Sequence, residues 1–297
     1  MKRALLTAAL WIAIAATVIT AAVITTTPAP VRAAAETDPN PGALTFVRDG
    51  SVVRVVERAT LASCSIERIE IDDPYYGKPK SFWACPLHEV LALGFGRSSS
   101  FTEAEDSNFF LRALDGFTKP ASGAKLAEPG GYLALSDADL GTPTAPGWEP
   151  IDRRQVDPGP YYLVWKEPHQ RDIHHYPWPY QLATIEIAAF ETEYPHTLPG
   201  SAAVDSQALA GFRIFRVECI ACHAINTEGG MIGPDLNVPR SIVEYRPIEQ
   251  IKAFIRDPGS FRYTTMPAHP HLSDGQLDEL IAYFTAMKDL KHDPRAR

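Results

Sequence analysis

The sequence predicts a multidomain chain: an N-terminal α+β, mostly β, domain over residues 43–199, followed by an all-α domain over residues 206–290. Three observations lead there. The length, 297 residues, suits about two domains. Between Ala43 and Pro199 the apolar residues fall in short runs, several alternating with polar ones, separated by Gly and Pro clusters. From Asp205 onward they recur at helical spacing.

In chain order, Lys2 and Arg3 precede an apolar run, Ala4 to Ile24. Basic residues ahead of an apolar stretch have the polarity of an export signal. At about 20 residues the run also suffices to span a bilayer uncut. Ala33-Ala34-Ala35 offers a small-residue cleavage site. Residues 1–35 are therefore read as a signal peptide or an N-terminal membrane anchor, with a linker at 36–42. Both readings place the body on the periplasmic side of the bacterial inner membrane, soluble or tethered. The net charge is −8, and setting aside the three cations Lys2, Arg3 and Arg32 leaves −11 on the rest. An acidic body excludes nucleic acid, whose phosphates it repels, and suits a partner with a basic docking patch.

Val47 to Val56 carries an Asp-Gly pair between β-branched residues and predicts a hairpin. Ile66 to Ile71 alternates as a half-buried strand does. Pro86 to Leu93 suits a short helix, and Tyr132 to Leu135, Tyr161 to Trp165 and Thr184 to Ala189 suit strands. The segment His169 to Tyr180 is dense in His, Tyr, Trp and Pro. It reads as a rigid loop with packed aromatics, or as a pocket or docking segment. The adjacent His174 and His175 would face opposite ways on a strand and could not share a metal.

A linker, Thr197 to Asp205 at its widest and 200–205 at its core, leads to a helix over Asp205 to Glu218. Ser206 caps this helix, and Leu209, Phe212, Ile214 and Phe215 form its apolar side. Next comes Cys219-Ile220-Ala221-Cys222-His223, the C-x-x-C-H pattern of covalent c-type haem attachment. Two thiols three positions apart can add across the two vinyl groups of one porphyrin edge, and the following imidazole ligates the iron. Ser273 to Lys288 reads as a closing helix, capped by Ser273, with Leu277, Leu280, Ile281 and Phe284 on one side.

From Ser206 to Lys288 the chain resembles a class I cytochrome c domain. Gly211 and Phe215 match the small and aromatic positions of that family's first helix, and Tyr283 matches the aromatic that crosses it. Gly233-Pro234-Asp235-Leu236 resembles the turn packed beside the proximal histidine, and Tyr263 to Ala268 resembles the loop of the distal methionine. The resemblance implies one covalent haem c with His223 and Met266 as axial ligands. A thioether favours ferrous iron. Met231 lies too early for this role and is expected to pack near the haem edge. His269 and His271 could replace Met266 but are expected as exposed loop histidines.

The preceding region resembles the molybdopterin-binding domain of the sulfite oxidase family. The segments that carry the likeness are Asp73-Pro74-Tyr75-Tyr76-Gly77, Pro86-Leu87, Asp115-Gly116-Phe117, Gly131 to Ala134 and Gly159 to Val164. That resemblance implies a pterin-binding fold, and the absence of a cysteine loop or basic cluster points to a relative without molybdenum. Cys64 and Cys85 form a disulfide, as an oxidising compartment favours, or, with His88, a second metal site suited to copper. No Ser-His-Asp arrangement, phosphate loop, H-E-x-x-H or repeat occurs. Three functions fit. The first is a monohaem electron carrier or redox subunit serving a partner redox protein. The second is a molybdenum oxidoreductase feeding its own haem. The third is a copper- or ligand-binding module whose redox state the haem reports.

Overall fold

In the computed structural model, residues 42–96, 108–151, 155–200 and 206–296 are described. The first of these begins with the expected hairpin. Strand β1 (Ala43–Arg48) returns as β2 (Ser51–Glu57) through Asp49 and Gly50, both at positive φ (48° and 75°), the conformation an Asp-Gly turn supplies. After a single helical turn, α1 (Arg58–Leu61), strands β3 (Glu67–Asp73) and β4 (Lys78–Pro86) pair antiparallel. Helix α2 (Leu87–Phe95) follows. Strands β5 (Asn108–Ala113) and β6 (Thr118–Ser122), the short helix α3 (Gly123–Ala127), and strands β7 (Gly131–Asp137), β8 (Tyr162–Trp165) and β9 (Leu182–Ile187) complete the β-rich region.

These strands make two sheets. One has the order β2-β1-β9-β5-β6, with β1 and β9 parallel, and the other β3-β4-β7-β8, all antiparallel. Strands β4, β5 and β6 escape the sequence reading. Pro79 and Pro86 bracket β4, and Pro120 interrupts β6, so neither shows a clean strand pattern. The structure tolerates them because β6 is an edge strand and Pro79 lies beyond the reach of β7. Helix α2 lies close on β1: a β-carbon on Gly94 would overlap the Phe46 ring.

After α4 (Phe190–Glu193), the chain becomes helical. Helices α5 (Gln207–Glu218) and α8 (Asp274–Lys288) cross, while α6 (Ile242–Tyr245) and α7 (Ile248–Arg256) flank them. Both long helices carry the expected caps. Ser206 Oγ accepts from Leu209 N, and Ser273 with Gln276 forms a capping box.

The β-rich and helical regions share a core. On β5, Phe109 and Leu111 face the core between the sheets, while Phe110 points the other way. There Phe110 stacks on Phe190, whose ring meets Phe212 of α5 edge-on, with centroids 5.9 Å apart. Arg216 lays its guanidinium 4.0 Å from the Phe190 ring centre. The start of the expected linker is also packed. Thr197 is buried and its carbonyl accepts from Tyr283 Oη at 2.7 Å. Residues 201–205 and the N-terminal segment with its apolar run lie outside the described residues. Among the described residues no helix is long and apolar enough to cross a membrane.

Candidate functional site

Helix α5 delivers Cys219 as its C-terminal cap, with the Cys219 amide bonded to the Phe215 carbonyl. The chain then makes one further turn. Cys222 N and His223 N both donate to the Cys219 carbonyl, at 3.1 and 2.9 Å. A two-strand return, β10 (Ala224–Ile225) and β11 (Glu228–Gly229), folds the chain back, and Gly230 N closes onto the Ile220 carbonyl. A β-carbon at Gly230 would stand 2.8 Å from Cys222 N, so this approach requires glycine.

Next comes the Gly-Pro turn. Gly233 N donates to the Cys222 carbonyl at 2.7 Å, and His223 Nδ1 lies 2.8 Å from the Pro234 carbonyl. A carbonyl only accepts, so Nδ1 carries the proton and Nε2 keeps its lone pair. A β-carbon on Gly233 would sit 2.6 Å from His223 Nδ1, so the imidazole packs directly against bare backbone. Burial holds the His223 pKa below its ordinary value, opposed by the Pro234 carbonyl and Asp235. The neutral ring is the form that ligates a metal. Burial pushes the Cys219 thiol up to about 12 and the Cys222 thiol up to about 11. Both remain unpaired thiols on a single turn. This donor set, two free thiols beside an imidazole oriented by a backbone carbonyl, fits a covalently attached haem.

Met266 is half-buried, borders the same apolar core as Cys219, and has its amide bonded to Thr264 Oγ1 at 3.1 Å. Met231 is not packed inward: it is 61% exposed, and its backbone N bonds the Gly116 carbonyl of the β5–β6 turn. His271 is exposed as expected, but His269 is only 3% exposed, with Nε2 3.8 Å from Glu218. A loop histidine is buried here because the loop folds over the end of α5.

The β-rich region grips this site directly. Thr118 N donates to the Ala221 carbonyl at 3.0 Å, and Lys119 Nζ donates to the Val217 carbonyl at the end of α5. Glu218 accepts from the His174 side chain at 3.1 Å. Sequence reasoning missed Lys119 and Glu218 because neither stands in a motif of its own.

Cys64 and Cys85 form a disulfide across 21 positions. His88 is exposed, and Glu89 is the polar group close to the sulfurs. With both sulfurs bonded to each other, neither offers the thiolate that molybdenum or a copper–thiolate centre requires.

The fold and site of residues 206–284 define a c-type cytochrome domain, which implies haem c. These residues match the family described as cytochrome c oxidase, cbb3-type, subunit III. The chain is also similar to the cytochrome c oxidase subunit 2 of Alkalihalophilus pseudofirmus, at 31% identity over 115 residues, covering 34% of this chain and 33% of that protein. It thus spans about a third of the length of the curated relative. The family match includes none of the β-rich region.

Proposed function

We propose that this chain is an exported monohaem c-type cytochrome that carries single electrons to or from a partner redox protein. The observation that carries the reading is the hydrogen bond from His223 Nδ1 to the Pro234 carbonyl, which leaves Nε2 the ring's lone-pair nitrogen, beside two unpaired thiols. Cys219 and Cys222 would hold the haem edge, His223 the proximal position and Met266 the distal one. When bound, the haem supplies an iron that changes by one electron. The protein's part is to hold that group rigidly. The single turn from Cys219 to His223, tied to the Gly233-Pro234 turn, leaves the ligand little freedom to reorganise.

The β-rich region serves as a docking and supporting module. We keep for it the likeness to the sulfite oxidase family's molybdopterin-binding domain, without molybdenum. Its Asp115-Gly116-Phe117 turn, one of the segments carrying that likeness, lies against the haem-attachment loop through Met231. The basic-then-apolar N-terminal segment supports placement on the periplasmic side of the inner membrane, cleaved or anchored.

The test is metal and haem analysis of protein made in a host competent for haem c attachment and molybdenum cofactor assembly. Iron at one per chain, haem retained on a denaturing gel and no molybdenum are expected. Stoichiometric molybdenum would replace this reading with that of a self-contained oxidoreductase.

A further inference from the structure

Where the two regions meet, three imidazoles converge on one carboxylate. Glu218, the last residue of α5, has Oε2 3.1 Å from His174 Nδ1 and 3.8 Å from His269 Nε2, while its Oε1 lies 3.4 Å from His271 Nε2. The ligand atoms of His174, Glu218 and His271 all lie within 4.8 Å of one another. The imidazole centroids are close as well: 4.5 Å for His174 and His271, and 5.8 Å from His269 to each of the other two. These residues come from three distant parts of the chain: the His-rich loop, the end of the haem-domain helix and the loop after Met266.

We propose that His174, Glu218 and His271 form a site for one divalent transition-metal ion of the zinc or copper(II) class, separate from the haem iron. Ligands held about 2.0–2.2 Å from a tetrahedral ion stand roughly 3.4 Å apart. The 3.1 Å from His174 Nδ1 and the 3.4 Å from His271 Nε2 to the Glu218 carboxylate lie close to that value. His269 backs the cluster from inside: its Nδ1 lies 3.1 Å from the Pro267 carbonyl and it also hydrogen-bonds the Glu218 backbone carbonyl, so it fixes the loop that carries His271 over the end of α5. The His174 loop is positioned too: its amide donates to Asp172 Oδ1 at 3.0 Å, and Asp172 Oδ2 holds His175 at 2.6 Å, outside the cluster. Two imidazole nitrogens and one carboxylate oxygen, with a fourth position left for water, suit zinc or copper(II), not calcium or magnesium. Such an ion would clip the β-rich loop to the segments carrying Cys219 and Met266.

The full-length, haem-loaded protein is stripped with chelator, then titrated with zinc by calorimetry and with copper(II) by electron paramagnetic resonance. We expect one zinc per chain beyond the haem iron and nitrogen hyperfine coupling on the copper. Glu218→Gln and His271→Ala should each weaken zinc binding at least tenfold, while His88→Ala, at an exposed histidine elsewhere, should leave it unchanged. His271 is exposed, so its variant tests the site without threatening the fold. Absence of saturable zinc binding by the wild type, or equal affinity in wild type, Glu218→Gln and His271→Ala, overturns the proposal. Haem content, read separately by absorbance, reports on the cytochrome reading alone.

Discussion

Gly211 of α5 meets Glu279 of α8 backbone to backbone: a β-carbon on Gly211 would overlap the Glu279 carbonyl oxygen and stand 2.9 Å from Tyr283 Cβ. The two helices that frame the haem-attachment turn cross where only glycine fits. Gly211→Val should therefore destabilise the protein by about 3 kcal/mol, since overpacking against backbone cannot relax by a rotamer change. Denaturant unfolding of haem-loaded protein checks it, and a loss under about 1 kcal/mol would show that the crossing can open cheaply.

Met266→Ala should abolish the weak far-red absorption of methionine-ligated ferric haem and lower the potential, because a thioether favours the ferrous state. His269→Ala should leave that band in place, since its imidazole faces Glu218. If the wild type lacks the band, or if His269→Ala removes it, the axial assignment fails.

Asn226 is fully buried at φ 57° and joins three strands of backbone. Its Nδ2 donates to the carbonyls of His196 and Leu290, and its Oδ1 accepts from Asn237 Nδ2, which also donates to Met287 O. Asn226→Ala would strand these groups, at about 1–3 kcal/mol for each one left unpaired. We expect a total loss of about 3 kcal/mol, measured by thermal or denaturant unfolding, with haem still attached. An unchanged midpoint would mean that water replaces the side chain.

Asp73 sets a pH dependence. Its Oδ1 accepts from the amides of Tyr75 and Tyr76 at 2.8 and 3.1 Å, and its buried carboxylate also faces the Tyr162 hydroxyl. Burial raises its pKa above the ordinary 3.8, against the pull of those hydrogen bonds. The folded chain then binds this proton more tightly than the unfolded one. The cost is absent below the ordinary value, grows as pH rises toward the folded value, and is complete above it. Asp73→Asn keeps the Oδ1 acceptor and removes the charge, so it should be at least as stable as wild type near pH 7. The difference should shrink toward about pH 4. Urea unfolding at the two pH values decides it, and a variant destabilised only at neutral pH would contradict the sign.

Much of the helical region was legible because its constraints are local. Ser206 and Ser273 cap, Cys219 to His223 fit within one turn, and Gly233-Pro234 sits close enough in sequence to reach His223. The hairpin at Asp49-Gly50 and the alternating strand at Ile69 and Ile71 were legible for the same reason. Strands β4 and β6 were not, because prolines that usually exclude a strand are harmless at a strand end or a sheet edge, and position in the sheet is a non-local fact.

By itself, then, the sequence determined the Cys219 to His223 motif on which the proposed haem attachment rests, the two-class architecture and the acidic, apolar-headed character of the chain. Each depends on residue type and short spacing. Only the tertiary structure decided that Phe110 would tie the sheet to the helices, that His269 would be buried, and that His174, Glu218 and His271 would meet. These contacts join residues far apart in the sequence, brought together by the packing of Phe110 of β5 and Phe190 of α4 against α5. No pattern within a window of the sequence records such a meeting, because what selects it is the burial of two apolar faces against each other.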